Sequence, residues 1–354
     1  MKKLFTILTA LTLSAVAAFA QFAPTNLLVV RVGDGVNAVA NTNGPISLLE
    51  ITRSGTVVQT INISTNSLQL SGTSSSEGQI SLSPDGSILT IGGYVPPFTG
   101  SGSLATRTAV QAPRGYVTVD ASGVVSASTI ISNAYSTDNL RSATTDGSSF
   151  WFTGGAGSGS GIMAYSGGVT NQLADVNSRT IKIFSNNLYY STGAGTQGIY
   201  QISGTPTSSN AAPISILTGV AGQGTSPYDF AFSPDGNTLY VADSNLGIQK
   251  FTSSGSAWSL AYNLTNSLTS GDRALGLDVL FGATNQVTWT SATNIWSVLD
   301  GGFATNATSI YSTGTSTYVL RGLEATVVPE PSTYAMLALA GAGFAGYVIR
   351  RRRR

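Results

Sequence analysis

Residues 21–328 contain fifteen carboxylates, ten cations and no histidine or cysteine. That inventory narrows the chemistry at once. Without imidazole or thiol there is no Ser-His-Asp or Cys-His nucleophile, no His/Cys zinc site and none of the commonest general base. Two kinds of carboxylate chemistry remain. Acidic loops rich in carbonyls and amides can hold calcium, and two acids brought together by a fold can flank a glycosidic bond. Asp34, Asp243 and Asp272 stand in loop-like stretches that suit the first. No Asp-x-Asp-x-Asp spacing accompanies them, and no cue in the sequence pairs two acids for the second. The expectation is a protein that is not an enzyme and carries no cofactor, with calcium as the candidate ion. The alternative is a metal-assisted hydrolase or lyase acting on sugars.

Three other aspartates have a simpler use. Asp85 and Asp235 sit in Ser-Pro-Asp-Gly, and Asp146 in Asp-Gly. In such turns Pro presets the bend, Asp caps it, and Gly takes the positive φ a tight hairpin needs. The longest interruption runs from 94 to 114 and holds Tyr94, Phe98, Arg107 and Arg114. Aromatic and cationic groups on one long loop are suited to ligand contact, so these four join the three aspartates as candidate binding residues. The glycines of GGAGSGSG at 154–161 imitate a phosphate loop but lack its lysine and helix. Trp151, Trp258, Trp289 and Trp296 fall on strand-like segments, where packing in the core or between repeats, rather than a sugar platform, is the expected role.

These residues must be positioned by short strands. ISLSPDGSILTIGG at 80–93 and FAFSPDGNTLYVAD at 230–243 alternate, turn and alternate again. Weaker copies stand at 142–155, with Asp146-Gly147 at the turn, at 181–194, with Asn186-Asn187, and at 277–292. A second pair of strand-like runs follows each copy, giving units that start near 79, 141, 180, 228 and 275. A period of roughly 40–50 residues with four strands per unit marks a β-propeller. SPDGxxLYVAD resembles the inner hairpin of NHL- or YVTN-like propeller blades. Three strand-like runs near the N-terminus and STYVLRGLEAT at 316–326 would complete a sixth blade, which closes the ring and hides its strand edges. The predicted fold is therefore an all-β, six-bladed propeller with a mixed N- and C-terminal closing blade. Seven blades, a jelly-roll sandwich and an irregular solenoid are the alternatives. The candidate binding residues fall on the face formed by second-to-third strand loops and inter-blade loops, opposite the Ser-Pro-Asp-Gly turns.

The two ends of the chain are of another kind. Lys2 and Lys3, an apolar run, and Ala18-Phe19-Ala20 follow the order of a secretory signal, with cleavage expected after Ala20. At the other end, residues 334–349 are sixteen uncharged residues. As a helix they would be about 24 Å long, slightly short of a bilayer core of roughly 30 Å, with snorkelling arginine stems covering the shortfall. Pro329-Glu330-Pro331 precedes this run, and Arg350, Arg351, Arg352, Arg353 and Arg354 follow it. The order resembles the PEP-CTERM sorting signal. That resemblance implies export, transient anchoring by a C-terminal transmembrane helix, and processing by an exosortase in a bacterium that makes extracellular polysaccharide. The chain thus divides into a signal helix at 1–20, a propeller at 21–328 and a sorting tail at 329–354.

Charge completes the reading. Ten cations against fifteen carboxylates leave residues 21–328 near −5, so the +1 of the whole chain comes from its ends. A weakly acidic body does not suit nucleic acid. A hydroxyl-rich, sparsely charged surface suits extracellular polysaccharide or surface glycans. The expected role is a non-enzymatic binding or structural module at the cell surface or in the matrix.

Overall fold

A computed structural model describes residues 22–326, apart from 64, 209–213, 218, 221, 224, 225, 256, 265–271, 304 and 305. The signal segment and the sorting tail, with the expected transmembrane helix, lie outside the described residues. Among those described, no helix is long and apolar enough to cross a membrane.

The chain opens with β1 (Leu27–Val32), β2 (Ile46–Ile51) and β3 (Val57–Ile63). The second blade is β4 (Ile80–Leu82), β5 (Ile88–Tyr94), β6 (Arg114–Asp120) and β7 (Thr129–Ile130). The third is β8 (Leu140–Thr145), β9 (Phe150–Gly154), β10 (Ile162–Ser166) and β11 (Val169–Ala174). The fourth is β12 (Ser178–Phe184), β13 (Asn187–Thr192), β14 (Ile199–Ile202) and β15 (Ile214–Ile216). The fifth is β16 (Pro227–Phe232), β17 (Thr238–Asp243), β18 (Gly247–Ser253) and β19 (Trp258–Asn263). The sixth is β20 (Leu277–Leu280), β21 (Gln286–Thr290), β22 (Asn294–Leu299) and β23 (Thr308–Ser312). The last strand, β24 (Val319–Ala325), pairs antiparallel with β1, so the closing blade runs β24-β1-β2-β3. The protein is a six-bladed propeller with a mixed closing blade, as its repeat and its two incomplete ends predict.

The local chemistry explains the hairpins. In both Ser-Pro-Asp-Gly turns the serine hydroxyl donates to the aspartate at 2.5 Å and accepts the N–H five residues on, from Ile88 at 3.0 Å and Thr238 at 2.8 Å. Gly86 and Gly236 adopt φ of 73° and 72°, which glycine takes without steric cost. One turn departs from the sequence reading. In the fourth blade the bend falls on Ser185-Asn186, both at positive φ, and Asn187 begins β13. A two-residue loop with both φ positive matches the twist of the flanking strands.

Packing is between blades. Six separate apolar clusters fill the junctions around the ring; one joins Leu27, Val29, Leu49 and Ile51 to Ile295 of the sixth blade, another joins Trp151 and Ile162 to Ile181 and Tyr190 of the fourth. Each buried Leu, Ile or Val contributes about 1.5–3 kcal/mol. Outer strands such as β3, β15 and β23 are largely exposed. Hydroxyls rivet the inner ring. Thr153 donates to Arg179 O, Ser191 to Tyr228 O at 2.6 Å, and Thr290 to Arg321 O at 2.5 Å. Each bond runs from a second strand to the inner strand of the next blade, so part of the Ser/Thr richness is structural.

Candidate functional site

The inner strands β24, β4, β8, β12, β16 and β20 surround a central channel with a loop face at their amino ends and a turn face at their carboxyl ends. Asp34 lies on the loop face, in the β1–β2 connection. Its Oδ1 accepts the N–H groups of Val36 and Asn37, and its Oδ2 accepts Asn37 Nδ2, all at 2.8 Å. These donors, the Asn37 side chain foremost, hold the exposed carboxyl at about 2. Asp34 also lines a cavity of about 260 Å³ with Asn37, Asn43 and Pro45. Asp243 is buried at the end of β17. Its Oδ2 accepts Ser226 N–H at 2.7 Å, and its Oδ1 accepts Asn245 and Leu246 N–H at 2.8 and 2.9 Å. It therefore closes its own turn and ties that turn to the blade's first strand. Asp272 is half-buried just before β20. Among the described residues, no three His, Cys, Asp or Glu side chains are grouped to hold a metal.

The long second-blade loop is a folded unit, and three of the candidate binding residues, Tyr94, Arg107 and Arg114, are buried within it. Tyr94 ends β5 and Arg114 begins β6, and both are fully buried. The Arg114 guanidinium donates to the carbonyls of Leu104, Ala105, Arg107, Ala112 and Asp138 at 2.6–3.3 Å. Arg107 donates to Gly102 O at 2.8 Å and is 8% exposed. The Tyr94 hydroxyl donates to Glu77 Oε1 at 2.8 Å. The physical reason is the loop's own polar backbone: carbonyls removed from water need donors, and guanidinium supplies five in a fixed fork. Phe98 packs beside Tyr94, Leu104 and Ala112 and stays half-exposed.

Three arginines absent from the sequence-based candidates belong to the same end of the channel. Arg141 and Arg179 are the second residues of β8 and β12, and Arg321 is the third of β24. Each reaches to the next blade. Arg141 donates to Asn177 Oδ1 at 2.5 Å and Ser178 O at 2.9 Å. Arg179 donates to Ser226 Oγ at 2.8 Å and Pro227 O at 3.0 Å, and lies 4.0 Å over the Tyr228 ring. Arg321 donates to Gly72 O at 2.7 Å and Ser74 O at 3.0 Å. In a chain without disulfides these are the polar staples of the ring. Buried Glu77 works with them, accepting Ser71 N–H at 2.9 Å and Asn139 Nδ2 at 2.5 Å besides Tyr94. Burial pushes its pKa up, against those three donors.

The turn face holds a second constellation that sequence reading missed entirely. A cavity of about 240 Å³ opens among the carboxyl ends of five inner strands, with Lys182, Asp278, Glu324, Phe184, Phe232 and Phe281 in its wall. Lys182 Nζ pairs with Asp229 at 3.2 Å and with Glu324 at 3.1 Å. Strands β12 and β24 are three blades apart in either direction, so the second pair spans the channel. Asp278 pairs with Arg53 at 2.5 Å. Asp229 also accepts Phe230 and Leu277 N–H at 2.8 Å. Phe184 and Phe232 stack with centroids 4.7 Å apart. Burial opposes the Lys182 charge, but Asp229 and Glu324 outweigh it and raise its pKa. Burial pushes the Glu324 carboxyl up to about 7, with Asp278 and Asp229 adding repulsion and Lys182 pulling the other way. One signal could have found this pair of acids: Gly-Leu-Asp at 276–278 and Gly-Leu-Glu at 322–324 recur in successive inner strands.

Residues 327–354, beyond the ring, match the PEP-CTERM protein-sorting motif. The chain carries a PEP-CTERM sorting tail. That motif implies export and processing by an exosortase. No curated protein matches the chain in sequence. Solved propellers resemble its body. A chain of a nidogen/laminin complex is 13% identical, covers 85% of this chain and 98% of its own, and has a TM-score of 0.52. PorZ of Porphyromonas gingivalis, a bacterial surface component of the type-IX secretion system, is 12% identical over 86% of this chain and 46% of its own, at 0.46. A gluconolactonase from Xanthomonas campestris is 11% identical over 82% and 97%, at 0.44. At 13% identity the nidogen/laminin likeness is one of fold alone.

Proposed function

We propose that the PEP-CTERM protein is a non-enzymatic binding or structural module of the cell exterior, associated with extracellular polysaccharide. The state of the loop-face acids carries this reading. Asp34 and Asp243 are held by the N–H groups of their own and neighbouring turns, so these two acids serve the fold and leave amides and hydroxyls around them to meet a ligand. The test is co-sedimentation of the mature protein with polymer isolated from its host. Retention without change in polymer length is expected, and a soluble protein with intact polymer would refute it.

A second reading, hydrolysis or lysis of sugars, is favoured by one observation: Asp278 and Glu324 line one cavity, and a carboxyl near 7 suits a general acid. Release of reducing ends or unsaturated products from the same polymer, lost in Glu324→Gln, would establish it over the first.

A further inference from the structure

We infer that the turn-face cavity binds a single neutral pyranose unit, its hydroxyls donating to Asp278 and Glu324 and its C–H face resting on Phe184, Phe232 and Phe281. This rests on the polysaccharide reading and adds to it a sugar site, with its own specificity, on the face opposite the loop-face acids. At about 240 Å³ the cavity lies below the roughly 300–1,000 Å³ of pockets for drug-sized ligands, which leaves room for one ring. Carboxyl oxygens accept, Asp278 as a carboxylate and Glu324 at its carbonyl oxygen in either protonation state, and a sugar presents donors on adjacent carbons. Arg53 takes Asp278 Oδ2, and no donor among the described residues reaches Oδ1. The three phenylalanines are half-exposed, so apolar area stands open beside the acids.

Charge sets the selectivity. The constellation holds three acids, Asp229, Asp278 and Glu324, against two bases, Lys182 and Arg53. Lys182 is already shared by two carboxylates and has no free charge to offer an incoming one. A uronate would place a further negative charge beside Asp278, and beside Glu324 wherever that carboxyl is ionised, and like charges at close range repel. The cavity is also reachable. The turns that border it are tight, at 83–86, 185–186 and 233–236, whereas the 95–113 loop lies on the opposite face. A chain end, rather than the middle of a polymer, fits such a cup.

The test is saturation-transfer NMR of the mature protein with the methyl glycosides of glucose, galactose and mannose and with the corresponding uronates. At least one neutral glycoside is expected to bind with Kd on the order of 1 mM, and the uronates about tenfold or more weaker. Phe281→Ala removes apolar wall and Glu324→Gln replaces the carboxyl by an amide at constant size. Each should weaken binding by about tenfold, a difference of about 1.4 kcal/mol, with thermal unfolding reporting that both remain folded. Equal binding of uronates, or wild-type binding in both folded variants, overturns the site. Co-sedimentation with host polymer separates the two levels of failure. Polymer retained equally by the wild type and both variants overturns the site and leaves the polysaccharide reading standing. Polymer retained by none overturns both.

Discussion

At the residue scale, the ten cations of the body act mainly within the protein. Arg114 makes six hydrogen bonds to backbone carbonyls that an ammonium cannot reproduce. Arg114→Lys should therefore lower stability by about 2 kcal/mol or more, read as a lower urea midpoint, with new protease cleavage within 95–113. Two acids should titrate with opposite signs. Asp300 accepts from Lys250 at 2.7 Å and from the hydroxyls of Tyr240 and Tyr262. Burial opposes its charge, but these donors outweigh it and bring it from 3.8 to about 2. Its stabilisation is then complete above pH 3.8 and lost as pH falls toward 2. Glu324 is raised from 4.5 to about 7, so the folded state binds the extra proton. Its contribution is greatest below 4.5 and declines as pH rises to 7. Urea midpoints followed with pH should lose the acid-side fall in Asp300→Asn and the near-neutral decline in Glu324→Gln. Unchanged profiles in either variant would contradict the corresponding assignment.

At the element scale, the hairpin turn is the unit the sequence repeats. Ser233, Asp235 and Gly236 reproduce the contacts of Ser83, Asp85 and Gly86. Gly236→Ala would force a Cβ into the left-handed region and should cost about 1 kcal/mol. Gly147→Ala, where φ is 95°, should behave similarly, and chemical denaturation of the two variants checks both. The hairpins are legible in sequence because their chemistry is local: a turn of fixed residue types between alternating strands. The 95–113 loop is not legible in the same way. Nothing in the types of Tyr94 and Arg114 tells whether they face solvent or their own loop. That depends on carbonyls at Leu104, Arg107 and Asp138 converging on one guanidinium, which is a property of the folded loop.

At the scale of the molecule, ring closure is the structural event that matters. β24 pairs with β1 across nearly 300 residues of chain, and removing it would expose the edges of β1 and the face of β20. A chain ending at residue 318 should lose cooperative thermal unfolding and elute as aggregate, because open strand edges template association. Retention of a sharp transition and a monomeric elution volume would argue that five blades suffice. The same circular geometry brings Lys182, Asp229, Asp278 and Glu324 together. They are separated by up to 142 positions in sequence, yet they meet because every inner strand ends at the same rim.

Sequence alone determined the blade period, the turn chemistry, the closing blade and the sorting tail, since each is written in local residue patterns or in the order of segments along the chain. It also settled which catalytic chemistries lack their side chains, because an absent imidazole or thiol needs no fold to be noticed. Tertiary structure decided where the charged groups go. Burial, the demand of loop carbonyls for donors and the convergence of six strands on one axis turned the expected ligand arginines inward and assembled an unexpected ionic and aromatic cup on the opposite face.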